Sequence, residues 1–448
     1  MTLRDRVGAL LRLAAEQRHH PLALSVAVVI VMLPFGDRFV AGFSLVYVAM
    51  AVSAVLVVRI LVRDEQPIPS SVLLLGLGLG VVVSVMAAAL GVSPGAATMR
   101  VALGLVALGY AAGIAMARRP GLDRDATDLL VVAGGVTAAK ALTAAGSLTT
   151  STNGWVVDGR LTGPFAQPNE LGMFCAALLP IAVACLVARS SRLRATVLGV
   201  ASVCILAAWV LSMSRGAWIG GAVSLVFLAV VEPRSRRLLR AAGSTLAATC
   251  VLAFALPVQT PLLGVIGARL RSLGDADGNE YDARPLIWGE AWRQITQRPW
   301  FGVGPDGYRV AATDSASAVS SYGAEHPHDL YLTVLVERGV TGMAAGAVVV
   351  AGVAVALRRH LQSRGSADPA AVLVRTRALA VLAALVAVAV HGVFDLPLRN
   401  PIVSGLVSTL LGMAVAAEIA RPAPAGRGAT PDPAPLLLTN DPEKRTTS

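Results

Sequence analysis

Charge is what this sequence lacks most. Only 15% of its 448 residues are Asp, Glu, Lys or Arg, against roughly 25% in a soluble globular chain. Together with a 55% hydrophobic content, that shortage excludes a soluble enzyme, a nucleic-acid-binding domain and a disordered protein. Lysine is nearly missing, with Lys140 and Lys444 the only two, so the net charge of +11 is carried by arginine. In a membrane protein such an excess marks cytoplasmic loops, not nucleic-acid contacts. No CxxC pair is present. Cys175, Cys185, Cys204 and Cys250 all lie inside apolar runs, and they read as small buried hydrophobes, neither disulfides nor zinc ligands. The basic stretch 1–20 runs straight into an apolar segment without a small-residue cleavage site, so a removed signal peptide is not expected.

What is there is apolar sequence in span-sized pieces. Twelve spans of about 20 residues need some 240 apolar positions, close to the hydrophobic content of the chain. Apolar runs fall near 21–35, 39–62, 68–91, 98–117, 126–149, 169–188, 195–213, 216–231, 238–259, 329–357, 373–394 and 400–420. Their lengths suit helices, because isolated strands cannot satisfy their backbone in hydrocarbon. The expected fold is an all-α polytopic membrane protein of about 12 transmembrane helices. Its expected parts are a cytoplasmic basic segment 1–20, a membrane domain 21–420 and a disordered, Pro-rich cytoplasmic tail 421–448. Counting from a cytoplasmic N-terminus, alternate loops hold 25 of the 38 basic residues, which predicts both termini in the cytoplasm of a bacterial plasma membrane. The exception is a long segment, 260–328, on the outer side after the ninth span, and loops of that length are usually functional.

Three outer loops place an arginine at the membrane boundary. Arg160 stands in Gly159-Arg160-Leu161-Thr162-Gly163-Pro164-Phe165, upstream of Asn169, a candidate helix N-cap. Arg215 follows Ser212-Met213-Ser214 at the start of a span, where the helix dipole disfavours a cation unless an anion sits beside it. Arg284 opens a stretch in which Ile287, Trp288, Ala291, Trp292 and Ile295 share one face at helical spacing, as in an interfacial helix with Asp282 as its cap. His328, in His326-Pro327-His328-Asp329, stands at the start of the tenth span, where the dipole favours phosphate and a neutral imidazole can take a proton from a hydroxyl. The HxH pair is a weak metal signal without a further His or Cys cluster beside it in sequence. His326, across Pro327, has no fixed relation to the helix and is expected to matter much less than His328.

From Arg160 onward these pieces resemble the bacterial O-antigen ligase and O-antigen polymerase superfamily of membrane glycan transferases. The matching motifs are GRLTGPFAQPNELG at 159–172, SMSRGAW at 212–218, the helix from Arg284 followed by PWFGVG, and HPHDLYLTVLVERGVTG at 326–342. The spacing of His328, Asp329, Gly339 and Gly342 fits the family pattern, although Asp329 replaces the usual amide or hydroxyl. The resemblance implies a GT-C-type fold with a large extracytoplasmic loop after the ninth helix. It also implies transfer of a glycan from an undecaprenyl-diphosphate carrier to a hydroxyl of a lipid, glycan or protein acceptor, with no cofactor and no metal. By motif position it gives His328 the catalytic role and Arg160, Arg284 and Arg215 the donor diphosphate. A solute or anion transporter, of the kind some relatives are described as, is the alternative.

Four further polar residues call for partners. Glu337 and Arg338 lie about two turns into the tenth span, where arginine costs roughly 2.5–3.5 kcal/mol unless paired or in a cavity. His391 and Asp395, one helical turn apart, are expected to form a supporting pair. Lys140 is the one lysine inside a span.

Overall fold

The computed structural model describes residues 21–63, 68–117, 122–148, 154–157, 159–188, 191–240, 284–314, 324–363 and 368–420. The expected segment 1–20, the ninth span at 238–259 beyond residue 240, the tail 421–448 and part of the loop 260–328 lie outside those residues.

Helices account for nearly all of the described chain. In order they are α1 (Pro21–Met32), α2 (Leu45–Arg63), α3 (Val72–Leu90), α4 (Pro94–Met116), α5 (Leu122–Leu142), α6 (Pro168–Val187) and α7 (Arg192–Leu211). Then come α8 (Arg215–Val231), α9 (Arg284–Gln297), α10 (Gly307–Asp314), α11 (Leu330–Gln362), α12 (Pro369–His391) and α13 (Pro401–Ile419). Among the described residues nine helices are long and apolar enough to cross a membrane, and two shorter apolar ones, 21–35 and 215–231, accompany them. The only strands described are two short antiparallel hairpins, Phe39–Val40 with Phe43–Ser44 and Val156–Val157 with Arg160–Leu161. The chain is therefore an all-α polytopic membrane protein, and the expected apolar runs on described residues are helical apart from the hairpin that opens the run 39–62.

Burial separates the bundle into centre and rim. In α6, α12 and α13 between 67% and 78% of the apolar window is buried, whereas α2, α3, α7 and α11 turn most of theirs outward. The outward faces are apolar: Val52, Val55, Val58 and Val62 on α2 are exposed side chains of the kind lipid tails cover. Small residues allow the closest contacts. A Cβ at Gly76 of α3 would come within 2.6 Å of the Val349 amide on α11, and one at Gly352 within 2.5 Å of the Leu73 amide.

Ion pairs fasten the end of the bundle that carries the arginine-rich connections. Arg194 of α7 holds Asp128 of α5 through two bonds of 2.6 and 2.7 Å. Glu418 near the end of α13 accepts the amides of Val72 and Leu73 at 2.9 and 3.0 Å, so a carboxylate satisfies the open N–H groups that begin α3. The opposite end, formed by the starts of α6, α8, α11 and α13, gathers the candidate functional residues.

One predicted span is interrupted there. α11 is 33 residues long, about 50 Å at the helical rise and far more than a bilayer core needs. Its helix breaks at Gly339, where φ is +63° and ψ −163°, a backbone essentially only glycine adopts. The segment Pro299–Gly304 fills the break. Val303 and Gly304 donate to the carbonyls of Val336 and Glu337 at 2.9 and 3.0 Å, and Val340 donates to Pro299 at 2.8 Å. A Cβ on Gly339 would sit 2.3 Å from the Trp300 carbonyl carbon, so no other residue fits. The remaining 340–362 is about 34 Å long, enough to span by itself. Glu337 and Arg338 therefore lie at the boundary of the span, not two turns inside it as the sequence suggested.

Candidate active site

The site is built outward from Asp395, on the connection between α12 and α13. Its Oδ2 accepts from Asn169 Nδ2 at 2.7 Å, and its Oδ1 accepts from the Leu396 amide at 2.8 Å and faces His328 Nδ1 at 3.3 Å. Asp395 is buried while the His328 ring is 29% exposed. Burial alone would raise the carboxyl, but the hydrogen bonds from His328 and Asn169 outweigh it and hold Asp395 below the usual carboxylate range. Asp395 is thus an anion across the working pH range. The structure gives it to His328 on another helix. His391, its expected partner, shares only a backbone bond with it, Asp395 N to His391 O at 3.2 Å. Both ring nitrogens of the buried His391 lack a hydrogen bond among the described residues.

Arg160 joins this network through Asn169. Its Nη2 donates to Asn169 Oδ1 at 2.7 Å and its Nε to the Ser212 carbonyl at 3.2 Å. Asn169 is not the cap of α6. Gln167 caps that helix in a capping box with Glu170, which leaves the Asn169 amide free to bridge arginine and aspartate. Arg284, the first described residue of α9, donates from Nη2 to the Phe394 carbonyl at 3.2 Å. Arg215 begins α8 behind the Ser214 cap, and its neighbour Gly216 packs against Phe394. Arg284 directly, and Arg160 through Asn169, are therefore tied to residues 394–395 beside His328. Asp282 lies outside the described residues.

The residues before α11 are held in an unusual backbone. Asp329 caps the helix by accepting the Leu332 amide at 2.7 Å. A cap needs only an acceptor, so aspartate serves here as well as the family's amide or hydroxyl. His328 has φ +54°, in the left-handed region. Three contacts hold it there. The Leu330 amide donates to Gly392 O at 2.7 Å, Trp288 Nε1 to Pro327 O at 2.9 Å, and the His328 amide to His326 Nδ1 at 3.2 Å.

His326 is consequently fixed, contrary to the sequence expectation. Burial, with the neighbouring His328 and the Arg399 guanidinium, lowers its pKa from 6.5 to about 3, so the ring is neutral with Nδ1 as acceptor. The sign of the linkage follows. An unfolded chain takes up a proton at this position as pH falls below 6.5 and the folded one does not, so stability is complete above 6.5 and is lost toward pH 3. Thermal unfolding of purified protein should show the wild-type midpoint dropping between pH 7.5 and pH 5, and dropping less in His326→Gln. Parallel pH slopes in the two proteins would show that the ring is not held neutral.

A second cluster braces the first. Asp306 receives Arg100 Nε at 2.7 Å and Arg399 Nη2 at 2.8 Å, and its amide donates to Glu337 Oε1 at 3.2 Å. Arg399 also reaches Glu337 at 3.4 Å and Glu325 at 3.3 Å. Glu337 thus ties α11 to the Pro299–Gly307 turn and to the start of α13. Lys140 is paired with Asp37 at 2.7 Å, near the end of α5, not stranded in mid-membrane. Between the clusters opens a cavity of about 510 Å³, lined among others by His326, Asp395, Glu325, Arg399, Asn400 and Gln167.

On α9 the sequence pattern merges two faces that the structure separates. Ile287, Ala291 and Ile295 are buried against Tyr308, Val303 and Val336, whereas Trp288, Trp292 and Trp300 face outward. Outward tryptophans at the boundary of a bundle are the usual anchors to a membrane surface.

His326, His328 and Asp395 each offer one donor atom within 4.8 Å of the others, a spacing a cation could bridge. Several of their atoms already make hydrogen bonds. His326 Nδ1 holds the His328 amide, and the Asp395 oxygens hold Asn169, Leu396 and His328.

Arginines, a histidine–carboxylate pair and a polar cavity thus gather at one end of a helical membrane-protein bundle. Residues 200–347 match the protein-family model described as O-antigen ligase, which supports the resemblance to the O-antigen ligase and polymerase superfamily and to glycan transfer in general. No curated protein matches the chain. The matched stretch holds Arg215, Arg284, His328, Asp329 and Glu337; Arg160, Asn169, His391 and Asp395 lie outside it.

Proposed function

We propose that this protein transfers a glycan from an undecaprenyl-diphosphate carrier to an acceptor hydroxyl on the extracytoplasmic face of a bacterial plasma membrane. The bundle is read as twelve spans of GT-C type with both termini in the cytoplasm. The observation that carries the reading is the continuous chain from His328 through Asp395 and Asn169 to Arg160. It couples a base to a phosphate-binding cation within one hydrogen-bonded unit.

The roles follow from the chemistry. Asp395 accepts from His328 Nδ1–H and so leaves the lone pair on Nε2, which takes the proton of the acceptor hydroxyl. The oxygen attacks the anomeric carbon, the bond to the diphosphate breaks, and the negative charge gathers on the leaving polyprenyl diphosphate. Arg160, Arg284 and Arg215 stabilise that charge, as fixed guanidinium groups do well for phosphate oxygens. Asp329 and Glu337 act on the backbone around the base, and His391 supports it from the end of α12, through its backbone bond to the Asp395 amide. The 510 Å³ cavity, with its carboxylates and amides, receives the acceptor. The transporter alternative draws no support from the family match.

The test is a reaction with purified full-length protein, a glycan-diphospho-undecaprenol donor and a hydroxyl acceptor, followed by mass spectrometry of the product. Transfer should proceed unchanged in the presence of a chelator. Activity lost on chelation and restored by one divalent cation would replace the base at His328 with a metal held by His326, His328 and Asp395.

A further inference from the structure

A second cavity, of about 340 Å³, lies on the flank of the bundle between α3, α4, α11 and α13, away from the three donor arginines. Its lining has a polarity gradient. Arg100, Ser84 and Arg338 line it toward the end of the bundle that carries the active site, and Leu77, Val81, Leu108, Ala111 and Leu411 line it toward the middle of the membrane. Leu77, Gly80, Val81, Gly104, Ala107 and Leu108 are only half-buried, so it opens outward between α3 and α4. Arg338 adjoins the helix break that marks the boundary of the span, which puts both guanidinium groups near the level of lipid headgroups.

The arginines are only partly satisfied. Arg100 donates through Nε to Asp306, and Arg338 donates through Nε to Ser84 Oγ at 2.8 Å and through Nη1 to Glu337 at 3.4 Å. Among the described residues these are all their hydrogen bonds, although guanidinium carries five N–H donors. The carboxylates Asp306 and Glu337 stand behind the arginines and do not line the cavity. Its polar end is therefore rich in donors and cations, and the rest is mostly hydrocarbon, with Ser408 the one further hydroxyl in the lining.

We propose that this cavity binds an anionic glycerophospholipid of the surrounding bilayer, with the phosphate on Arg100 and Arg338 and one acyl chain along Gly104, Leu108 and Leu411. The site is separate from that of the glycan donor and does not rest on the transfer reaction. A phosphate supplies the acceptors that both guanidinium groups lack, and a single chain matches the narrow apolar part. Through Asp306 and Glu337 the bound headgroup adjoins Arg399, so the lipid braces the second cluster of the active-site end.

Native mass spectrometry of the full-length protein, titrated with phosphatidylglycerol, phosphatidylcholine or undecaprenyl phosphate, tests this. One phosphatidylglycerol should bind the wild type at least about tenfold more tightly than phosphatidylcholine. Arg100→Gln/Arg338→Gln should lose that preference. Because those changes also break ion pairs, Gly104→Leu serves as the second variant. A Cβ there has nothing closer than Val81 at 3.8 Å, so the larger side chain fills the cavity and leaves the charges intact. It should weaken phosphatidylglycerol about tenfold while the protein stays folded. Equal binding of the two phospholipids, unchanged binding in Gly104→Leu, or preferential uptake of undecaprenyl phosphate would each overturn the proposal.

Discussion

His328→Ala is expected to lower the rate of glycan transfer by about 10²- to 10⁴-fold, the range a positioned general base supplies, while donor binding stays near that of the wild type. The separation is possible because the His328 side chain meets Asp395 but no arginine of the donor patch. Asp395→Asn should also fall, because it removes the anion that fixes the proton on Nδ1 of the ring. Its loss should be smaller in His328→Ala than in the wild-type background, since the two act as one unit. The acid limb of the rate profile cannot come from Asp395, whose carboxyl is already held below the usual range. Full activity in His328→Ala would remove the base from the mechanism and leave leaving-group stabilisation alone.

Arg160→Ala is expected to be about as severe, on the order of 10²- to 10³-fold, as for loss of one fixed donor to a developing anion. Its signature should differ. Donor affinity and turnover should fall together, because Arg160 has the proposed role of holding the donor diphosphate and also bonds, through Asn169, to Asp395. Arg160→Lys retains the charge but cannot bridge Asn169 and Ser212 at once, so it should recover donor binding better than turnover. Arg284→Ala removes a side chain that donates to the Phe394 carbonyl and should weaken mainly the donor. If Arg160→Ala left turnover of saturating donor untouched, the link from Arg160 to Asp395 would have no part in the chemistry.

The helices were legible because their signal is hydrophobic length, and a membrane imposes that length on every span. The break in α11 was not, since Gly339 in an apolar run looks like any other packing glycine until Pro299–Gly304 is seen seated against it. Arg160, Arg284 and His328 could be picked out because a cation or histidine at a membrane boundary is conspicuous. Their convergence could not, since it depends on Asp395 and Asn169, 226 positions apart in sequence. His391 drew attention as the nearest histidine to Asp395 along the helix, but a carboxylate just past a helix end turns toward whatever the fold brings to it. Asp306 and Arg399 carried no local signal at all, being ordinary loop residues whose meaning comes from Arg100 and Glu337 on other helices.

The seating of Pro299–Gly304 in the gap of α11 makes a single mechanical part of two stretches of chain. Arg284 rides on α9, which runs into that segment, and His328 rides on the short piece of helix above the gap. Backbone bonds clamp them together, joined by Trp288 on the Pro327 carbonyl and Glu337 on the Asp306 amide. Substitutions away from those two side chains can therefore retune either group but can hardly shift one relative to the other. Variation in which sugar is accepted would then arise on the facing wall, from residues such as Gln167, Asn400 and Phe39 that line the large cavity from α6, α13 and the first hairpin. Exchanging 284–342 as a block between related chains should carry Arg284 and His328 across in fixed relation, and leave the choice of acceptor with the host.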